Sequence, residues 1–403
     1  MADSAMAFIE ETGVFPAFFQ FSPGPAEDVR VFFAPGRVNL IGEHTDYNGG
    51  YVLPAALQLG TSAIVRPRKD GQWRFASTSF PDTVVEFSPE NLEYRENAGF
   101  ANYPAGVIWV LRQEGYIANG ADIFFAGNLP AGAGLSSSAS VEVVTAFAMA
   151  SLHHWSISKE TLALYAQRAE NQFVGVNCGI MDQFSVALGM EQHALSLHCQ
   201  SLSYEQVPVE LGDVVMVLTN SNKPHSLVES KYNERRSECE TALSLLQDAG
   251  FSCSYLADLT PEQWPQMDAV LVDPVLKRRV RHVVFENHRA KEAPKLLRQG
   301  RLREFGEWMN ASHRSLCKDY EVTGPELDTL AESAWQVEGC LGSRMTGGGF
   351  GGSTVSLVER HHLDVFQEHV ARQYESTIGY APSFYITGLG EGVRELTGEV
   401  EGK

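Results

Sequence analysis

Cysteine is sparse in this chain of 403 residues. There are six, at positions 178, 199, 239, 253, 317 and 340, with no C-x-x-C pair and no regular spacing. That argues against a disulfide scaffold or a cysteine zinc site and suits reduced thiols in a cytoplasm. Positive charge is also scarce: 31 Lys and Arg stand against 50 Asp and Glu, a formal net charge of −19. Neither nucleic acid nor an anionic membrane is an expected partner, since binding to both rests on basic surfaces. The one basic run, Lys277, Arg278, Arg279 and Arg281, has helical patterning and reads as a solvated helix face. No apolar run reaches membrane-spanning length. No Lys or Arg precedes Arg30, so a secretory signal with a basic leader is not expected. Neither G-x-x-x-x-G-K-[ST] nor H-E-x-x-H occurs, so a Walker loop is absent, and the histidine pairs at 153–154 and 361–362 read as helix-surface residues without chemistry.

What is present is a soluble globular composition, 44% hydrophobic and 20% charged, in a chain too long for one ordinary core. Two domains are expected. Residues 29–127 read mainly as strands, cut by an amphipathic stretch at 104–114. Helical patterning runs over 141–173, 226–248 and 275–339. A strand-like alternation at 194–209 and a short strand at 214–219 separate them, and the chain from 354 onward mixes both types. The class is mixed α and β.

Three glycine-rich segments carry the chemistry. The first, Pro35 to Pro54, reads PGRVNLIGEHTDYNGGYVLP; a strand-like run leads in and Pro35-Gly36 breaks it. Glu43, His44 and Asp46 could together grip several hydroxyls of one polar ligand, because carboxylates accept and imidazole can do either. Taken alone, the same residues also suit a solvated surface turn. The second, GNLPAGAGLSSSAS from Gly127, follows an apolar run and precedes a helix-like stretch. Strand, glycine loop, then helix start is the order a phosphate site needs: glycines admit close approach, and free amides at the helix N-terminus favour an anion. A helix cap would need one serine, not three, and would leave the glycines unexplained. The third, GSRMTGGGFGGS from Gly342, has five glycines in six residues around Phe350 and leads directly into a strand-like run, unlike a flexible linker.

In this order and spacing the three segments resemble the GHMP family of small-molecule kinases, within its galactokinase branch. Ala169-Glu170-Asn171, the run Cys178 to Gln183, and Lys231-Tyr232 fit as well, so the resemblance spans about residue 30 to about 390. It implies the α+β class, with an N-terminal domain like ribosomal protein S5 domain 2 over 1–210 and a ferredoxin-like C-terminal domain over 211–403. The tail would return to the first domain, and the active site would lie in the cleft between the two. The implied reaction is MgATP-dependent phosphorylation of the anomeric hydroxyl of α-D-galactose, the first phosphorylation of galactose catabolism, by a monomer or weak homo-oligomer in the cytoplasm.

By the same resemblance, Asp182 is the catalytic base and Arg37 its partner, able to stabilise charge developing on the transferring group. Whether Asp182 removes the proton or mainly orients the hydroxyl stays open. Glu43, His44, Thr45, Asp46, Gly179 and Tyr232 would contact the sugar. Gly132, Ala133, Gly134, Leu135, Ser136, Ser137 and Ser138 would wrap the phosphates of ATP, with Ser138 and Glu170 holding Mg²⁺, a hard cation that takes oxygen ligands. Gly347 to Gly349 and Gly351 would shape the opposite floor. One departure stands out: where the branch leads one to expect Trp before Ala101-Asn102-Tyr103, this chain has Phe100. A kinase for N-acetylgalactosamine, or a sugar sensor without catalysis, remains the alternative at this point, although a sensor would be expected to damage the phosphate loop or Asp182.

Overall fold

The computed structural model describes residues 6, 9–10, 12–130, 132–223 and 228–396. The expected helix start at 226 and Ala131 of the second glycine segment lie outside these residues. The strands run β1 Arg30–Asn39, β2 Tyr51–Val52, β3 Pro54–Pro67, β4 Trp73–Ser77, β5 Phe80–Phe87, β6 Ala121–Gly127, β7 His193–His198, β8 Ser203–Pro208, β9 Val214–Asn220, β10 Cys340–Thr346, β11 Ser353–Glu359, β12 Ser383–Thr387 and β13 Arg394–Glu395.

Six of them form one sheet in the order β13-β1-β3-β6-β4-β5, with β4 and β6 parallel. Its central strands are apolar at consecutive positions because both faces are covered. Phe32 and Phe125 point to the core under the helices Asn102–Gln113 and Ser137–Leu152, whereas Val31, Phe33 and Phe124 meet Phe18 of the helix Val14–Phe21. A second, antiparallel sheet, β10-β11-β9-β12, repeats the device. Val215 and Val217 pack on Phe366 and Leu330 of the helices Leu363–Ile378 and Gly324–Trp335, and Met216 and Leu218 pack on Phe305 and Met309 of Leu302–Ser315. A small sheet, β2-β7-β8, completes the set. The mixed architecture is the α+β class expected, and β13 comes back to pair Phe32 with Glu395 and Phe33 with Arg394.

Four readings change. Pro35-Gly36 does not end β1: the register against β3 shifts between Pro35 and Arg37 and the strand continues to Asn39. A bulge there re-aims the side chain that follows it. The basic run is not wholly solvated. Arg279 is buried, donating to Glu238 at 2.6 Å and to the Asp319 carbonyl at 2.7 Å, because the helix Pro274–Arg298 turns that position toward Val228–Asp248. The helical pattern over 141–173 breaks at His153, which ends the first helix. The 361–362 pair sits in a short 3-10 turn, not on a helix face.

Candidate active site

The bulge in β1 delivers Arg37 to the first turn of the helix Met181–Leu188. Arg37 Nε donates to Asp182 Oδ1 and Nη2 to Oδ2, both at 2.8 Å, a fork-to-fork pair. Its remaining arm, Nη1, donates to the Gly134 carbonyl at 2.8 Å, so one guanidinium ties the carboxylate to the second glycine segment. The Ser136 hydroxyl also donates to Asp182 Oδ2. Ser136 precedes the helix Ser137–Leu152 with φ 61° and makes no side-chain cap. The capping account of the serines therefore fails for Ser136.

Past β1 the first segment folds into a tight turn. Gly42 has φ 98°, and a Cβ there would strike the Tyr51 carbonyl and the Val52 backbone, so glycine is required. Glu43 is 1% exposed and accepts from Asn39 Nδ2 at 2.9 Å and Gly347 N at 2.7 Å, with Arg344 at 3.5 Å. Burial raises its pKa against the pull of both arginines. His44 places Nδ1 at 2.9 Å from the Tyr47 hydroxyl and Nε2 at 3.2 Å from the Gly348 carbonyl. The third glycine segment thus meets the first at Glu43 and His44. Asp46 lies against Gly179, where any Cβ would land on its carboxylate. Burial, with the nearby Asp182 and Glu43 charges adding, pushes the Asp46 pKa up to about 7. Arg37, Glu43, His44, Asp46, Gly179, Asp182 and Tyr232 all border one cavity of about 310 Å³, together with Asn177, Cys178, Asn233 and Gly348, a size within the range of small-molecule sites.

Thr45 is the exception. Its Oγ1 lies 2.8 and 2.6 Å from the carbonyl oxygens of Gly42 and Tyr51, and it is fully buried. Its side chain closes the turn instead of facing the cavity, and the expected sugar contact is withdrawn.

A second cavity, of about 440 Å³, is bordered by Gly132, Ser137 and Ser138 together with Phe80, Phe100 and Tyr103. Phe80 and Phe100 are stacked, their planes 1° apart and centroids 5.1 Å apart. Ala133 and Leu135 are buried; the Ala133 carbonyl accepts from Ser353 and the Leu135 carbonyl from Arg37 N. Side chains at those two positions anchor the loop and leave ligand contact to the backbone and serines.

Glu170, in a π-helical turn, is buried, bonded to the Ser138 hydroxyl and to Gln183 Nε2 at 2.7 Å. Burial, then the charge of Asp182, raises its pKa. Glu142, wholly buried one turn beyond Ser138, bonds Glu170 as well. Glu142, Gln183 and Tyr47 were missed from sequence. A lone Glu within the apolar run Val141-Glu142-Val143-Val144, four residues after Ser138, was the available signal for the first.

Comparison with known proteins agrees along the chain. The galactokinase galactose-binding signature matches residues 7–67, the GHMP kinases N terminal domain 102–190 and the GHMP kinases C terminal domain 294–376. A galactokinase of Halalkalibacterium halodurans is 50% identical over 378 residues, covering 94% of this chain and 95% of its own. That of Bacillus subtilis is 44% identical over 392 residues, 97% of this chain and 99% of its own. The crystal structure of Lactococcus lactis galactokinase complexed with galactose superposes with a TM-score of 0.92 at 42% identity, covering 96% of this chain and all (100%) of that one. A mevalonate kinase at 16% identity and TM-score 0.63 shares the fold alone. With the three family models matched in order and relatives of this identity over almost its full length, the chain belongs to the galactokinase family of GHMP kinases.

Proposed function

We propose that the protein transfers the γ-phosphoryl group of ATP to the anomeric hydroxyl of α-D-galactose, giving galactose 1-phosphate and ADP. The observation that carries this is the Arg37–Asp182 pair, joined through Gly134 and Ser136 to the phosphate loop and bordering the cavity that the first motif encloses. Phosphoryl transfer needs in-line positioning and charge neutralisation more than covalent chemistry. Asp182 takes or orients the anomeric proton, and Arg37 fixes that carboxylate and stabilises charge on the transferring group. Glu43, His44, Asp46, Gly179 and Tyr232 hold the sugar. Backbone and serines of Gly132–Ser138 hold the phosphates, with the adenine toward Phe80 and Phe100. The division into 1–210 and 211–403, the return of the tail to the first domain, a monomeric or weakly associated state and a cytoplasmic setting belong to the same proposal. The described cysteines are all free, and no described helix is long and apolar enough to cross a membrane.

The residues fit Mg²⁺. Glu170 is flanked by Glu142 and feels the charge of Asp182, and burial followed by that repulsion raises its pKa. A divalent cation at Glu170 and Ser138 would relieve that repulsion with oxygen ligands of the right hardness. When bound, Mg²⁺ supplies charge neutralisation at the phosphates. Gln183 and Glu142 keep the Glu170 carboxylate turned toward Ser138.

The test is ADP release with galactose, N-acetylgalactosamine, arabinose and glucose; galactose should give the highest kcat/KM, and preference for another sugar or no turnover would overturn the reading. Glu170→Ala should raise the Mg²⁺ concentration needed for half-maximal rate by about 10²-fold and Ser138→Ala by about tenfold. An unchanged Mg²⁺ dependence in both puts the metal elsewhere. Gly179→Ala should displace the Asp46 carboxylate and raise the galactose KM by about tenfold or more, leaving the ATP KM as it was; a parent-like galactose KM would remove Asp46 from the sugar site.

A further inference from the structure

His44 sits in the left-handed region, φ 63°, with both ring nitrogens against protein groups. The Gly348 carbonyl can only accept, so the Nε2 facing it must carry a proton. Burial lowers the His44 pKa to about 3, which leaves the ring neutral with that single proton. Nδ1 is therefore a lone pair, and the Tyr47 hydroxyl, 2.9 Å away, donates to it. The Tyr47 oxygen in turn accepts from the Tyr320 hydroxyl at 2.8 Å, and Tyr320 accepts from the Cys239 thiol at 3.1 Å. Each proton along this line points toward His44. The line starts on the helix Val228–Asp248, crosses the π-helical turn Leu316–Tyr320 and ends in the first motif. Ring packing keeps it straight: Tyr320 lies 4.8 Å from His44 and 4.4 Å from His282, centroid to centroid.

We propose that Tyr47 and Tyr320 are positioning residues that lock His44 in its Nε2–H tautomer, so that His44 meets the sugar only as a donor. The proposal rests on the proposed function and deepens it. Nε2–H and the Gly348 carbonyl form a donor and an acceptor side by side on the cavity wall. A hydroxyl can share the Nε2–H with the Gly348 carbonyl in a three-centre bond and donate to that carbonyl's second lone pair. A protonated amine cannot accept from Nε2–H, and a deoxy position can do neither, so this wall selects a neutral hydroxyl. A ring free to place its proton on either nitrogen would lose that choice.

The tautomer is read directly on the free protein by ¹⁵N NMR of histidine rings, with His44 assigned by the resonance lost in His44→Asn. The expected spectrum has a protonated Nε2 and an unprotonated, hydrogen-bonded Nδ1. A proton on Nδ1, or exchange between tautomers, overturns the proposal. Tyr47→Phe should shift the Nδ1 resonance and raise the galactose KM about tenfold, with kcat within about threefold and the ATP KM unchanged. Tyr320→Phe should act in the same direction by a smaller factor, and it decides the matter with the wild-type spectrum if Tyr47→Phe does not fold. An unmoved Nδ1 resonance, or a galactose KM unchanged in both variants, also overturns it. Absence of galactose turnover would count against the proposed function, whereas the tautomer of the free protein tests the hydrogen-bond line on its own.

Discussion

Asp182→Asn is expected to lower kcat by about 10³-fold or more while galactose still binds, the loss typical of removing a general base or its charge. Asn keeps the shape of the side chain. Its Oδ1 can still accept one Arg37 bond, but the amide nitrogen then faces the other arm donor to donor, where Asp182 Oδ2 now accepts at 2.8 Å. Galactose KM should stay within a few-fold of the parent because the proposed sugar contacts lie on the first motif, Gly179 and Tyr232. Arg37→Lys is the companion: lysine keeps the charge but cannot bond both carboxylate oxygens and Gly134 at once. It should lower kcat less than Asp182→Asn, by about 10²-fold. Turnover of Asp182→Asn within about tenfold of the parent would remove Asp182 from the chemical step, and a dominant rise in galactose KM would make it a binding residue instead.

The second large effect concerns the sugar. Galactose differs from glucose in an axial hydroxyl at carbon 4, and a site built to bond that hydroxyl is left with unpaired buried groups when it points elsewhere. Such mismatches reach about 10⁴-fold in favourable cases, against 10–200-fold for a methylene. With its pKa pushed up to about 7, Asp46 near neutral pH offers a proton as well as lone pairs, which suits a hydroxyl that both donates and accepts. Tyr232 borders the same cavity. Galactose should be preferred to glucose by at least about 10²-fold in kcat/KM. Asp46→Ala should lose most activity on galactose and narrow that preference, with MgATP binding intact. The measurements are kcat/KM for both sugars in both proteins and the nucleotide affinity. Retention of the full preference, or a defect confined to ATP, would sink the sugar assignment.

The order of chemistry along the chain was legible without coordinates. The first motif, the serine loop and the run around Asp182 are local patterns, each within a few residues, because a turn or helix start needs its glycines and polar side chains adjacent in sequence. Strand and helix classes were legible for the same reason.

Other features depended on partners brought close only by folding. Arg37 and Asp182 are 145 positions apart, and no periodicity says that their side chains meet as a two-point pair. The bulge that aims Arg37 looked like a strand end, because Pro and Gly signal both. Thr45 stands between two cavity residues and turns away, since a tight turn points successive side chains in different directions. Arg279 belonged by pattern to a charged surface, yet Glu238 and the Asp319 carbonyl compensate its burial. The Glu142–Gln183–Glu170 cluster and the line from Cys239 to His44 are assembled from separate helices and turns. Sequence by itself determined which chemical groups this protein carries and in what local frames. Tertiary structure decided which of them share a buried, low-dielectric wall, and there the distances between groups remote in sequence set their protonation, orientation and partners.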